Sequence, residues 1–298
     1  MHYDVFTDHL FGGNQLAVFL DGRGLAPETM QAIAKEMNFS ETTFVLPPER
    51  PGSDVRMRIF TPGEELPMAG HPTVGATFAL ARSGVIDPGR KNFVFGLGIG
   101  PTPVALTWTG DNLSFVWMTQ GLPTFSDPIP DPARAAAALS LSPAAVAGTG
   151  HPVQVVSCGV PFLFVPLTTR SAVDNAVVNP GVLDSLLSAS KAPAHGVFIF
   201  SPQPGDKKST VYSRMFAPDI GISEDPATGI ASGPLGCYLV RHKIVRPDKA
   251  GRMVSLQGVK MGRPSYVHIA IDADKSGKVN GVRVGGEAVL AGEGTLYV

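Results

Sequence analysis

Three polar residues of the chain have the side-chain types that proton transfer needs. Glu41 opens a strand-like run, while His71 and Asp225 each lie close to a glycine that opens a helix-compatible run. A carboxylate and an imidazole that face one cavity can move a proton between two carbons. A carboxylate in a partly dry pocket is a stronger base than one in water, because burial disfavours its charged form. The sequence therefore predicts acid–base chemistry centred on Glu41.

Each of these residues also has a purely structural explanation. A glutamate at the start of a strand is commonly a solvated surface residue, and a histidine after a glycine can cap a helix or fill a core. Asp225, which precedes Pro226, could be the N-cap of the helix that follows. The functional interpretation therefore depends on the three residues together and on the elements that position them.

The chain contains two copies of one unit, as a search for internal repeats indicates. The segment Arg58–Pro62 is echoed by Arg214–Pro218, and Glu65–Gly70 is echoed in the same order by Glu224–Gly229. The two copies are joined near residues 121–123. Many short Val- and Phe-rich runs bounded by Gly, Pro and Asp predict that both copies are rich in strands.

Each copy continues into a run of small and apolar residues, His71–Arg82 and Ile230–Arg241, with little charge before its last residue. A helix that is apolar all round is buried, so each run is predicted to be a central helix inside a curved sheet. Gly70 and Gly229 would let a ligand approach the helix N-terminus, whose N–H groups suit a small carboxylate or an enolate-like charge. The alternative is that both glycines only satisfy turn geometry.

The polar residues differ between the copies. Glu41 aligns with His195, His71 aligns with Ile230, and Asp225 aligns with a leucine. A shared fold needs the residues that both copies keep, whereas chemistry needs only one of each polar group. Glu41, His71 and Asp225 are therefore interpreted as an asymmetric set on a pseudo-symmetric frame.

Composition and charge argue against several classes of protein. The net charge is -1, and the longest cluster of Lys and Arg is Lys207-Lys208, so a nucleic-acid partner is not expected. The apolar runs are far shorter than the ~20 residues that span a bilayer, and the N-terminus lacks a secretory leader pattern. We expect a cytoplasmic protein with no membrane partner. Cys158 and Cys237 are expected to be buried free thiols, although a single disulfide is not excluded.

No cofactor is expected either. The glycine-rich run Gly96–Gly100 is followed by Pro101 rather than by a helix, whereas a dinucleotide fingerprint requires a strand, a glycine turn and a helix in that order. The seven histidines are scattered without the spacing of a metal site.

The motifs together resemble those of the phenazine-biosynthesis-F-like family. The resemblance is carried by Asp4–Thr7, Gly13–Phe19, Ser40–Val45, Phe60–Thr73, Glu224–Gly236 and Gly292–Gly294. It covers essentially the whole chain.

The resemblance implies an α+β fold of the diaminopimelate-epimerase type. Two pseudo-symmetric lobes are expected, each a barrel-like β-sheet wrapped around a central α-helix, with the site in the cleft. Residues 1–120 would form the N-terminal lobe with Glu41 and His71, and 121–298 the C-terminal lobe with Asp225. The last strand would return to the N-terminal lobe. A homodimer is also implied.

The resemblance further implies the activity. In this family the residue matching Glu41 moves a proton, and residues matching His71 and Asp225 hold or polarise the substrate. We expect Gly70, Gly229 and the position of Ile230, at the two helix starts, to bind the substrate as well. The best-known reaction is the isomerisation of trans-2,3-dihydro-3-hydroxyanthranilate, a small carboxylate.

Two departures from related proteins bear on the expected reaction. The paired cysteines of the racemases of this fold match Ala69 and Thr228, which disfavours a two-cysteine racemisation. Ile230 stands where the family often has a serine, which removes a hydrogen-bond donor and leaves the preferred substrate open. A member of the fold that only binds a metabolite or a protein is the alternative.

Overall fold

The computed structural model describes residues 1–189, 194–218, 221–274 and 277–298. Within it the chain divides into two compact units. Unit 1 consists of residues 1–119 together with 284–298, and unit 2 consists of residues 120–283. The C-terminal segment thus belongs to the same unit as the N-terminal half of the chain.

The elements are given in chain order. The first half contains β1 (His2–Val5), β2 (Asn14–Phe19), α1 (Pro27–Met37), β3 (Glu41–Leu46), β4 (Val55–Phe60), β5 (Glu65–Leu66), α2 (Gly70–Arg82), β6 (Asn92–Leu97), β7 (Gly100–Thr109) and β8 (Asn112–Gln120). The second half contains β9 (Thr124–Phe125), α3 (Pro132–Ala138), α4 (Pro143–Ala147), β10 (Gln154–Ser157), β11 (Pro161–Pro166), α5 (Arg170–Asn175), α6 (Pro180–Ala189), β12 (Val197–Ser201), β13 (Val211–Ala217), β14 (Ile222–Asp225), α7 (Gly229–Arg241), β15 (Met253–Gln257), β16 (Ser265–Ala273), β17 (Val279–Gly286) and β18 (Ala288–Gly292). Short 3₁₀ helices occupy Pro247–Arg252 and Val259–Met261.

The predicted repeat is a repeat of strand topology. In unit 1, β1 and β2 are antiparallel, β2 and β3 parallel, and β3 and β4 antiparallel, after which β4 pairs antiparallel with β5 and parallel with β6. Unit 2 has the same series from β10 to β15. A further antiparallel strand, β7 or β16, follows in each unit. The expected pseudo-symmetric α+β fold is confirmed.

Helix α2 is the centre of unit 1. It is buried from Gly70 to Leu80 and packs against β1, β2, β3 and β18. A Cβ on Gly75 would lie 2.6 Å from side-chain carbons of Leu16 and Val5, so the neighbouring strands approach this helix more closely than a larger residue permits. The preference for small residues in the sequence therefore has a packing cause.

Helix α7 has the same place in unit 2, where it packs against β10, β11 and β16. All of its residues are buried except Ile230 and Arg241. Both central helices begin one residue before the predicted start, at a glycine, and end at the predicted arginine. In the part of the chain that the structure describes, no helix is long and apolar enough to cross a membrane.

Strand β11 shows how unit 2 buries both faces of its sheet. Phe162 and Phe164 belong to the core around α7, while Leu163 and Val165 belong to a second core formed with α3, α4, α5 and α6. Because successive side chains of a strand point to opposite faces, one apolar run serves both cores. The prediction that Cys158 and Cys237 are buried free thiols is confirmed, and their Sγ atoms lie 3.8 Å apart.

The glycine-rich run between β6 and β7 forms a hairpin turn. Leu97 pairs with Gly100 across this turn, and both flanking elements are strands. The strand–glycine–helix unit of dinucleotide-binding folds is therefore not formed by these residues.

In each unit an arginine–glutamate ion pair joins a strand to the short segment that precedes the central helix. In unit 1, Nε and Nη2 of Arg58 donate to the two carboxylate oxygens of Glu65 at 2.7 and 2.6 Å. In unit 2, Arg214 makes the same two bonds to Glu224 at 2.9 and 2.8 Å. Each guanidinium also lies over a phenylalanine of its own strand. The repeated residues thus anchor the segment that leads into α2 or α7.

The two pairs differ in burial. The Glu65 side chain is 41% exposed, and the hydrogen bond from Arg58 lowers its pKa. The Glu224 side chain is only 15% exposed. Nη1 of Arg214 also donates to three backbone carbonyls at the end of α5, those of Val173, Asp174 and Ala176.

We therefore expect the same substitution to cost far more in unit 2. Arg214→Met should lower the free energy of unfolding by about 3–5 kcal/mol, because it leaves a buried carboxylate and three backbone carbonyls without their hydrogen-bond donor. Arg58→Met should cost about 1 kcal/mol or less, because Glu65 can be hydrated. Urea denaturation of both variants and the wild type measures the difference, and equal losses would contradict this account.

Candidate functional site

Glu41 and His71 meet inside unit 1. Glu41 is the first residue of β3, which pairs in parallel with β2, and His71 is the second residue of α2. Oε2 of Glu41 lies 3.1 Å from Nε2 of His71, and the side chains are 12% and 5% exposed. The two atoms are in contact without the alignment of a formed hydrogen bond.

The other nitrogen of the His71 ring contacts Asn14. Nδ1 lies 3.2 Å from the Nδ2 of Asn14, which is the fully buried first residue of β2. Burial lowers the pKa of His71 to about 3, and a hydrogen bond with the Gln15 backbone acts weakly in the opposite direction. Burial therefore favours the neutral imidazole, which can donate from one nitrogen while accepting at the other.

In unit 2, Asp225 belongs to a buried hydrogen-bond network. Asp225 ends β14, Thr228 is the N-cap residue of α7, and Gln257 ends β15. The Thr228 hydroxyl donates to Oδ2 of Asp225. The Gln257 amide donates to the Asp225 carbonyl at 2.7 Å and to the Thr228 hydroxyl at 3.0 Å, and its Oε1 accepts from the Thr228 N–H at 3.1 Å. All three side chains are buried.

The two central helices begin alike. In neither helix does the side chain of the N-cap residue bond to a first-turn N–H group. A hydroxyl in the first turn donates to the carbonyl of the N-cap residue, from Thr73 to Ala69 in α2 and from Ser232 to Thr228 in α7. The helix N-termini at Gly70 and Gly229 carry the positive end of the helix dipole, which favours negative charge.

Ile230 is the second residue of α7, the position that His71 occupies in α2. It is half-buried and packs against the core around α7. Unit 2 thus carries an alkyl group where unit 1 carries an imidazole.

Two details of the sequence interpretation are corrected. Arg58 pairs with Phe44, and its counterpart Arg214 pairs with Ile199, so Phe44 and Ile199 occupy equivalent positions. Glu41 lies three residues before Phe44, and Gly196 lies three residues before Ile199. Glu41 therefore aligns with Gly196 rather than with His195. A Cβ at Gly196 would lie 2.6 Å from a backbone oxygen, which excludes a side chain there. The structural alternative for Asp225 is also wrong, because the N-cap of α7 is Thr228 and the Asp225 carboxylate binds the Thr228 hydroxyl.

Sequence reasoning missed Asn14 and Gln257. Asn14 lies inside a motif that carries the family resemblance, yet nothing in the sequence links it to His71, 57 residues away. Gln257 is followed by Gly258, whose φ of +75° marks a turn, but glutamine is a common surface residue. The Asn14 contact depends on how α2 packs against β2, and the Gln257 contacts depend on how β15 lies beside the segment Asp225–Thr228, which the sequence does not reveal directly.

Known proteins match the chain over its whole length. The sequence profile of the family described as "Phenazine biosynthesis-like protein" matches residues 3–294. The chain is 35% identical over 296 residues to the trans-2,3-dihydro-3-hydroxyanthranilate isomerase of Pseudomonas aeruginosa, covering 99% of this chain and 98% of that protein. Further relatives from other bacteria are also named isomerases.

Solved structures agree with this relationship. A phenazine biosynthesis protein of the PhzF family from Bacillus anthracis superposes with a TM-score of 0.85 at 28% identity, covering 97% of this chain and 95% of that one. A probable proline racemase from Agrobacterium radiobacter, at 13% identity and a TM-score of 0.62, covers 97% of this chain and 89% of its own and shares only the fold. The fold is therefore the epimerase-like one that the motifs predicted. With a profile match, a named isomerase and a solved structure each covering nearly all of it, the chain belongs to the phenazine biosynthesis-like protein family.

Proposed function

We propose that this protein is an isomerase in which Glu41 moves a proton between two carbons of a small carboxylate substrate. The observation that carries the proposal is the buried contact between Glu41 and His71 at the start of α2, in a family whose relatives are named isomerases. Glu41 as a carboxylate takes a proton from one carbon, and the electron pair is delocalised through adjacent unsaturated bonds. Glu41 as a carboxylic acid then returns the proton to a second carbon.

His71 acts in this proposal as a neutral partner. Its depressed pKa keeps it from competing with Glu41 for the proton near neutral pH. Its Nε2 faces Glu41 and its Nδ1 faces the Asn14 amide, and a neutral ring carries its proton on one of these two nitrogens. We propose that Nε2 also reaches a polar group of the substrate.

The substrate carboxylate suits the N-terminal ends of the central helices. First-turn N–H groups and the helix dipole favour negative charge, whether on the substrate or developing on it during the reaction. We propose that Gly70 and Gly229 allow this approach because they carry no Cβ. For unit 2, we propose that Asp225 binds a cationic or hydrogen-bonding group of a substrate and that Ile230 contacts an apolar part of it.

Trans-2,3-dihydro-3-hydroxyanthranilate is the substrate we propose to test first. It carries a carboxylate, an amino group and an unsaturated ring, so each of the three requirements above has a counterpart in it. The named relative at 35% identity acts on it by name. No cofactor is required in this scheme, since one carboxyl group both removes and returns the proton.

The proposed role of Glu41 is tested by Glu41→Gln, which keeps the shape of the side chain and removes the base. We expect kcat/KM for trans-2,3-dihydro-3-hydroxyanthranilate to fall by about 10²–10⁴-fold, the usual contribution of a general acid–base group. Turnover is measured by chromatographic separation of substrate and isomer.

Glu64→Gln is the matched control, since Glu64 is an exposed glutamate of the same unit. It should retain the wild-type kcat/KM. Wild-type turnover by Glu41→Gln would reject the role of Glu41, whereas an inactive wild type would reject this substrate.

Ile230→Ser tests the substrate contact of α7. A hydroxyl at this helix start would supply the donor that the alkyl group lacks, a gain of about 1–3 kcal/mol if it pairs with the substrate. We expect kcat/KM for trans-2,3-dihydro-3-hydroxyanthranilate to rise accordingly, by about 5- to 150-fold. Ile244→Ser, which alters a partly buried isoleucine against the same core, should bring no gain. A folded Ile230→Ser variant with unchanged or lower kcat/KM would contradict the proposal.

A further inference from the structure

Gln257 is the most completely bonded buried side chain near Asp225. Its relative exposure is 0%, and both ends of its amide are used by one short segment, Asp225–Thr228. A buried glutamine that only filled space would cost free energy, because its polar atoms would still need partners. Here a single side chain satisfies two backbone groups and one hydroxyl.

The direction of these bonds follows from the chemistry of the amide. Its NH2 group can only donate, so Oγ1 of Thr228 accepts from Gln257. The proton of that hydroxyl is then directed to its second neighbour, Oδ2 of Asp225. Gln257 therefore decides which way the Thr228 hydroxyl points, and through it the Asp225 carboxylate receives a fixed donor.

The backbone beside Gln257 is pressed against the same segment. Gly258 has a φ of +75°, and a Cβ on it would lie 2.6 Å from the carbonyl oxygen of Pro226. A residue with a side chain would push the strand end away from Asp225. The glycine thus holds the Gln257 amide at bonding distance.

We propose that Gln257 is a positioning residue for substrate binding, which orients the Asp225 carboxylate through the Thr228 hydroxyl. This inference rests on the proposed function, in which Asp225 binds the substrate. In this inference Gln257, at the end of β15, contributes to the site without touching the substrate. Removing the amide would let the hydroxyl turn and the carboxylate change rotamer while the fold persists.

The kinetic test uses Gln257→Leu beside the control Gln154→Leu. Gln154 is also a buried glutamine of unit 2 with bonds at both ends of its amide, to the Ser126 carbonyl and to His242. Both variants should lose stability, but only Gln257→Leu should raise KM for trans-2,3-dihydro-3-hydroxyanthranilate, by about tenfold or more, with a smaller change in kcat. A KM no higher in Gln257→Leu than in Gln154→Leu overturns the inference.

The Thr228 hydroxyl is the link in the proposed chain, and its variants test the route. Thr228→Val should raise KM as Gln257→Leu does, and Thr228→Ser should recover most of that loss. The double variant Gln257→Leu/Thr228→Val should be no worse than either single variant, because both break one chain. Multiplicative effects in the double variant would show that the two residues act separately.

A crystal structure of Gln257→Leu gives a readout that needs no turnover. We expect the Asp225 carboxylate in a new rotamer or in several conformers, with the strands of unit 2 unchanged. An Asp225 carboxylate in its original place overturns the inference. Failure of the proposed function is recognised separately, since it requires an active Glu41→Gln or an inactive wild type.

Discussion

The buried N-terminus of a helix is the constraint on which the candidate site depends. In each unit a helix of 13 residues lies in the core, and the side chain of its N-cap residue makes no hydrogen bond to the first turn. A buried polar group without a partner costs about 1–3 kcal/mol, so the first-turn N–H groups favour a polar or anionic partner at these helix starts.

The two units carry different polar residues around these helix starts. Unit 1 brings the imidazole of His71 to the Glu41 carboxylate and keeps that imidazole neutral by burial. Unit 2 has Asp225 with Thr228 and Gln257, all hydrogen-bonded to one another. The first arrangement leaves a proton acceptor beside a neutral partner, which suits proton transfer. The second holds a carboxylate in a fixed orientation, which suits binding.

The shared residues explain why such divergence is tolerated. The arginine–glutamate pairs at Arg58 and Arg214, and the matching order of parallel and antiparallel strands, are common to both units. These contacts stabilise the segments that lead into the central helices without using the helix starts. Residues at those starts can therefore differ between units with little effect on the fold.

Much of the fold could be predicted because it repeats. The echo of Arg58–Pro62 in Arg214–Pro218 and the small residues of the helix that contains Gly75 reflect constraints that act at every copy, and packing leaves only small residues there.

The candidate site was less predictable because its contacts join elements that are far apart in the sequence. Glu41 and His71 could be selected as residue types, but their 3.1 Å contact depends on how β3 lies beside α2. The equivalent of Glu41 was misassigned by one residue, since strand register is set by pairing rather than by local sequence. Asn14 and Gln257 could not be selected from the sequence, because residue type alone does not show whether an amide side chain is buried.

The central claim is that Glu41 carries the proton between two carbons. Proton NMR in D2O tests it most directly, with trans-2,3-dihydro-3-hydroxyanthranilate offered to the wild type and to Glu41→Gln. The account predicts that the wild type forms the isomer with deuterium at the carbon that receives the proton, because a protonated Glu41 exchanges with solvent, and that Glu41→Gln forms neither. Deuterated isomer produced by Glu41→Gln at the wild-type rate would contradict it.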